Sequence, residues 1–161
     1  EPYSVAITLL EYNRRARAAQ GCNECSIIGT DINSESLEKA KMASYEAGKM
    51  EMVDEFIKKR YFQLQAERWR LRPFVRQMVE FRAEDLFTGR GVSGADVIMA
   101  RNLLIYFDKK RQLALMKKLA ACLNIGGYLI LGKSETLPAG MRTVLRPVAL
   151  KERVYQKVMN L

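Results

Sequence analysis

The sequence predicts an α/β fold: a doubly wound, mostly parallel sheet finished by an antiparallel hairpin. Three observations carry that reading. Short apolar runs at residues 26–32, 79–83, 95–100 and 128–131 alternate with longer amphipathic stretches. The first three runs stop abruptly at polar groups, namely Asp31, Glu84-Asp85 and Arg101-Asn102. Two late segments, residues 143–148 and 153–158, follow the last run closely enough to pair with each other. A chain of 161 residues suits one domain with a sizeable core.

Each element has its own reason. Residues 1–19 read as a helix, because Pro2 is tolerated in a first turn and Val5, Leu9 and Tyr12 recur at helical spacing. Residues 21–24 connect it to the first strand, 26–32. Asn33 or Ser34 then caps a helix reaching about residue 44, with Glu35 in its positive first turn and Lys39 four residues on. Residues 50–62 read as a helix and 63–78 as a hairpin or short strands, so that about 50–78 form a small insertion before the strand at 79–83. The run 95–100, broken only by Asp96, reads as a strand buried on both faces. Asp108 caps a helix over 109–123, with Leu113, Met116, Leu119, Ala120 and Leu123 on one stripe. Gly126-Gly127 supplies its left-handed stop, and 128–131 is a further buried strand.

Composition excludes several classes. A hydrophobic content of 48% argues against disorder, and no apolar run approaches the roughly 18 residues of a membrane-crossing helix. The N-terminus has no charged-then-apolar leader pattern. The net charge of +9 favours an anionic partner surface. Three cysteines do not make a disulfide framework, and Cys22-x-x-Cys25 has no second pair and no histidine to complete a zinc site, so a reduced pair in a surface loop is expected and no metal. With no histidine in the chain there is no imidazole base and no Ser-His-Asp triad. Any chemistry must rest on positioning and electrostatics, or on Asp, Glu, Lys, Tyr or Arg.

The strand ends carry the candidate chemistry. Open α/β sheets bind ligands just outside the C-terminal edge of their strands. Asp31 suits the hydroxyls of a ribose, since a carboxylate accepts two hydrogen bonds at once, and it suits a helix cap equally well. After the next strand, Asp85 can accept from an adenine amine while Leu86 packs on the ring. Arg101 and Asn102 end the 95–100 run, with Tyr106 close behind in an apolar patch. In the insertion, Arg68, Arg70 and Arg72 fall on one face at period two with Trp69 and Leu71 on the other. That face is either simply solvated or a docking surface for an acidic partner.

These residues carry a resemblance. The opening EPYSVAITL, the segments TDINSESLEKA and VEFRAEDL, the motif RNLLIYFD and the run GGYLILGKSE together resemble the catalytic domain of the chemotaxis receptor methyltransferases, the CheR type. The resemblance covers almost the whole chain and implies a Rossmann-like class I methyltransferase domain over residues 1–161. It implies a cytoplasmic, S-adenosylmethionine-dependent protein-glutamate O-methyltransferase acting on chemoreceptor helices. Carried over by position, it puts Glu1, Asp31, Asp85, Leu86, Asn102 and Leu103 around the cofactor, and Arg101 and Tyr106 nearest the methyl-transfer centre. The partner it implies is an acidic helical protein surface, with no metal, no nucleic acid and no membrane insertion. Two departures stand out. The family's first strand and N-terminal helical domain precede the position of Glu1, so a fragment of a longer chain is expected, with the strands flanking the missing one left unpaired. The stretch 62–79 is shorter than in members that dock on a receptor's C-terminal peptide, which implies action without such tethering. Other readings stay open: a domain that binds the cofactor without catalysis, or a methyltransferase for RNA or a small molecule. Amine methylation is disfavoured because no Pro-Pro follows Asn102.

Overall fold

The computed structural model describes residues 1–16 and 25–161, which divide into two compact units, Glu1–Asp85 and Leu86–Leu161. The first unit opens with helix α1 (Pro2–Arg15), followed by strand β1 (Ile27–Asp31) and helix α2 (Ser34–Met42). The Asn33 side chain accepts the backbone N–H groups of Glu35 and Ser36, satisfying donors that a first helical turn leaves open. Glu35 pairs with Lys39 at 2.6 Å, as the spacing predicts. The helix stops two residues before the sequence-based end, because Ala43 takes a left-handed conformation (φ 48°). Ser44 instead begins strand β2 (Ser44–Glu46).

The insertion is a small antiparallel sheet with helical flanks. A 3₁₀ turn (Ala47–Met50) and helix α3 (Glu55–Tyr61), capped by Asp54, replace the single helix expected over 50–62. Strands β3 (Phe62–Gln65) and β4 (Arg68–Leu71) meet through the two-residue turn Ala66-Glu67, both at positive φ, which matches the twist of a tight hairpin. β2 adds on the other side of β4 to give the order β2-β4-β3. The short helix α4 (Pro73–Arg76) leads into β5 (Val79–Ala83), which pairs in parallel with β1 from Ile27↔Val79 to Asp31↔Ala83. Tyr3, Ala6, Met50, Tyr61, Phe62, Leu71 and Val75 form the core of this unit.

One buried acid ties α1 to α3. Glu11 accepts from Tyr61 Oη at 2.6 Å and from Arg14 Nη2 at 2.8 Å. The Arg14 hydrogen bond, then that of Tyr61, holds the Glu11 carboxyl down to about 2. Burial, then the bond to Glu11, pushes the Tyr61 phenol up to about 12.

The second unit is a four-stranded sheet of order β6-β7-β9-β8 with one long helix. β6 (Ala95–Ala100) runs parallel to β7 (Leu123–Leu131), while β8 (Leu145–Ala149) and β9 (Val154–Lys157) form the expected antiparallel pair. Helix α5 (Lys109–Cys122) starts at Asp108, whose Oδ1 accepts from Arg111 N–H at 2.8 Å. Leu115, Met116, Ala120, Leu129, Leu131, Met141 and Leu145 make the core. Each of these fully buried leucine and methionine side chains contributes about 1.5–3 kcal/mol by leaving water.

Three expectations are corrected. β6 is not buried on both faces: Val97 is 53% exposed and Met99 38% on one face, while Ile98 and Ala100 on the other pack on the core. Gly126-Gly127 is not the stop of α5, since Leu123 is already extended and begins β7. Gly126 (φ 86°) lies within β7, where the register jumps from Ala95↔Leu123 to Val97↔Tyr128, and its positive φ serves that irregularity. Cys25 is disulfide-bonded rather than reduced, while Cys22 lies outside the described residues and Cys122 is a free thiol. Among the described residues, no helix is long and apolar enough to cross a membrane, and no group of three or more His, Cys, Asp or Glu is arranged to hold a metal ion.

Candidate functional site

The residues singled out by sequence fall in both units. In the first, the parallel pairing of β1 and β5 brings Asp31 and Asp85 to the same strand edge. Asp31 closes β1 opposite Ala83, and its carbonyl accepts Glu84 N–H at 3.0 Å, so Asp85 follows directly. The Asp31 carboxylate is exposed, and Asn33 N–H, at 2.8 Å from Oδ1, is its one hydrogen-bond donor among the described residues. That contact shapes the turn into α2 and leaves acceptor capacity on the second oxygen. Asp85 is half-buried. Glu1 precedes α1 and is exposed; its carbonyl accepts the N–H groups of Ser4 and Val5. The neighbouring Pro2 lies so close to β1 that a Cβ on Gly29 would sit 2.9 Å from its ring, which puts Glu1 beside the strand that Asp31 ends. A cleft of about 530 Å³ in this unit, lined by Tyr3, Lys41, Pro73, Arg76 and Phe81 among others, includes none of the predicted site residues.

In the second unit the end of β6 turns sharply. Arg101 and Asn102 are exposed, and Asn102 takes a left-handed conformation (φ 55°), a region that asparagine tolerates better than most residues. Leu103 is half-buried against the core, and Leu104 is buried within it. A 3₁₀ turn (Leu104–Tyr106) follows, pinned by Gln112 Nε2 donating to the carbonyls of Leu104 and Phe107 at 3.0 Å each. Tyr106 stands 75% exposed on this turn. Leu86 packs against the same core as Leu103.

One residue of this rim lies at the end of the run GGYLILGKSE, where the sequence reading gives it no role of its own. Glu135 is only 3% exposed, and its carboxylate accepts three backbone N–H groups: Gly132 at 2.6 Å, Leu104 at 2.6 Å and Asn102 at 2.9 Å. Its signal was present in the sequence. It follows the fourth apolar run much as Asp31, Asp85 and Asn102 follow theirs. What the sequence does not show is that its carboxylate reaches back more than thirty residues to the end of β6, a separation of 31 to Leu104 and 33 to Asn102.

The first unit offers carboxylates at and just beyond the ends of two parallel strands; the second, by itself, offers an Arg-Asn-Leu turn directly after β6, followed by a phenol. A family model described as "CheR methyltransferase, SAM binding domain" matches residues 1–154. The chain belongs to the CheR methyltransferase family. The cofactor of this domain is S-adenosylmethionine. Curated relatives named chemotaxis protein methyltransferase include those of Vibrio parahaemolyticus serotype O3:K6 (34% identity over 140 residues) and Listeria innocua serovar 6a (31% over 137). Chemotaxis protein methyltransferase 1 of Pseudomonas aeruginosa PAO1 is 33% identical over 141 residues. Each match covers 85% of this chain and 50–51% of the relative, so the chain spans about half the length of the curated relatives it matches.

The groups present fit that cofactor. It offers two ribose hydroxyls and an adenine amine as hydrogen-bond donors, and the acceptors are the exposed Asp31 at the end of β1 and the half-buried Asp85 two residues beyond the end of β5.

Proposed function

We propose that this domain takes part in transferring a methyl group from S-adenosylmethionine to glutamate side chains of bacterial chemoreceptors, giving glutamyl methyl esters. The observation that carries the reading is the pairing of β1 with β5, which brings Asp31, opposite Ala83, and Asp85, two residues on, to one C-terminal strand edge within a chain of the CheR family. Asp31 would accept the ribose hydroxyls, Asp85 and Leu86 would border the adenine, and Glu1 would belong to the same pocket. Asn102 and Leu103 would line the methionine end, and Arg101 and Tyr106 would receive the substrate carboxylate.

Held by Asp31 and Asp85, the cofactor would supply an electrophilic sulfonium methyl for a carboxylate oxygen to accept, with the thioether S-adenosylhomocysteine as the leaving product. A glutamate carboxylate is ionised at neutral pH, so no proton need be removed. The absence of histidine from all 161 residues agrees with that chemistry. The protein's part is to orient the carboxylate and exclude water around it. Tyr106, exposed on its 3₁₀ turn, is free to donate its hydroxyl to an incoming carboxylate, and Arg101 supplies positive charge five residues away. The exposed Arg68 and Arg70 on β4 suit the acidic surface of a receptor helix. We read the docking as direct, without a receptor C-terminal tether, and the setting as cytoplasmic.

A methyl-transfer assay on receptor cytoplasmic helices with the intact protein tests this. Base-labile methyl incorporation at glutamates, abolished when those glutamates are replaced by alanine, is the expected result. Tight binding of the cofactor with no methylation would favour a regulatory binding domain, and labelling of RNA or a small molecule would replace the substrate.

A further inference from the structure

We propose that Glu135 is the positioning residue that sets the Asn102–Leu103 rim for the cofactor. The inference rests on reading the end of β6 as the methionine side of the cofactor pocket, and it goes further by naming what holds that side in shape. Three observations converge. Glu135 is 3% exposed, and its two oxygens accept from Gly132, Asn102 and Leu104, which belong to two different strand-end loops. A buried carboxylate is costly unless its lone pairs are met, and here three backbone donors meet them. The residue it grips, Asn102, is in the left-handed region (φ 55°), which asparagine enters at less cost than most non-glycine residues, and the bond from its N–H to Glu135 helps hold it there. Finally, the space is filled: a Cβ on Gly132 would lie 2.7 Å from Glu135 Oε2 and 2.9 Å from Asn102 N, so only glycine lets the carboxylate sit between the loops.

The geometry divides the work between the two oxygens. Oε2 takes Gly132 and Asn102 together, linking the end of β7 to the end of β6. Oε1 takes Leu104 N–H and so fixes the backbone on the far side of Leu103. Leu103 is thereby held from both sides by one side chain that does not itself reach solvent. Packing alone would not need an ion at this place, since an apolar side chain could fill the space. The carboxylate is needed because the backbone of the turn presents donors inward.

Glu135→Gln separates position from mere stability. A glutamine can keep its carbonyl where Oε2 lies, but its amide nitrogen then meets Leu104 N–H donor to donor. S-adenosylhomocysteine binding measured by calorimetry on the intact protein should weaken by about tenfold, the lower end for loss of a hydrogen bond to a charged group. Glu135→Asp, which keeps the charge with a shorter reach, should recover part of the affinity. A lower melting temperature with unchanged affinity in the folded fraction would mean a purely structural role and overturn the inference. Should Glu135→Gln not fold, the wild-type protein decides through its amide resonances. Those of Asn102, Leu104 and Gly132 should move together on saturation with S-adenosylhomocysteine, and three unmoved amides would overturn it. If the wild-type protein binds S-adenosylhomocysteine but methylates no receptor, the substrate reading fails while the binding results still decide the role of Glu135.

Discussion

Asp31 is the residue whose replacement tests the cofactor reading most directly. Its carboxylate has two tasks that the structure separates. Oδ1 accepts Asn33 N–H at 2.8 Å and so shapes the turn into α2, whose own cap is the Asn33 side chain. The remaining acceptor capacity is what we assign to ribose hydroxyls. Losing the turn contact costs fold stability, by about 0.5–1.5 kcal/mol for a typical hydrogen bond. Losing hydrogen bonds to a charged acceptor costs binding, by about 1.5–3 kcal/mol, which is roughly a ten- to hundred-and-fifty-fold rise in Kd. Asp31→Ala therefore carries both effects. Asp31→Asn keeps an amide oxygen for Asn33 N–H but removes the charge, so its melting temperature should stay near wild type while affinity falls. Calorimetry with S-adenosylhomocysteine on the intact protein, paired with thermal melts, reads the two effects separately. Affinity unchanged within about twofold in both folded variants would refute the assignment and leave Asp31 as a turn residue only.

Other outcomes follow from the same structure. Tyr106→Phe should lower the methyl-transfer rate by about tenfold and leave cofactor affinity unchanged, because the exposed hydroxyl is read as acting on substrate; parallel loss of both would make it a wall of the cofactor site. Replacing Arg68 and Arg70 by Gln should raise the KM for receptor by about two- to fivefold per residue at low salt and flatten its salt dependence, the range for exposed ion pairs. Wild-type kinetics at low salt in that variant would return β4 to a solvated face. Arg72→Gln should act differently, since Arg72 lies beyond β4 and donates to the Lys59 carbonyl, and its effect should appear in stability. Acid should unfold the protein partly through Glu11. Its folded carboxyl is held down to about 2 against an ordinary 4.5, so its contribution is fully present above about pH 4.5 and is lost as pH falls towards 2. Denaturant melts across that range should show a shallower pH dependence for Glu11→Gln, and an identical slope would count against the network.

Much of the fold could be read along the chain because the signals were local. The strands at 79–83 and 95–100 appear at the predicted residues, and Asn33 and Asp108 cap the predicted helices through their own side chains. Polar residues ending apolar runs marked Asp31, Asp85 and Asn102, since a strand can reveal its end in sequence. The basic face of the insertion was legible only in part. Arg68 and Arg70 share a strand, but Pro73 opens a helix and takes Arg72 out of it.

What the sequence by itself determined is the set of elements and the chemistry at their ends, because propensity, caps and hydrophobic period act within a few residues of each other. What only the tertiary structure decided are features whose partner is distant in the chain. Ser44–Glu46 becomes a strand because β4, some twenty-five residues on, offers it an edge. Gly126 serves an irregularity in β7 rather than a helix stop because its pairing with β6 shifts there. On β6, Ile98 and Ala100 join the core while Val97 and Met99 stay exposed, because burial of a face depends on what packs over it, which the apolar run itself does not encode. Glu135 takes its partners from a loop more than thirty residues earlier because a buried carboxylate must find donors wherever the folded backbone presents them.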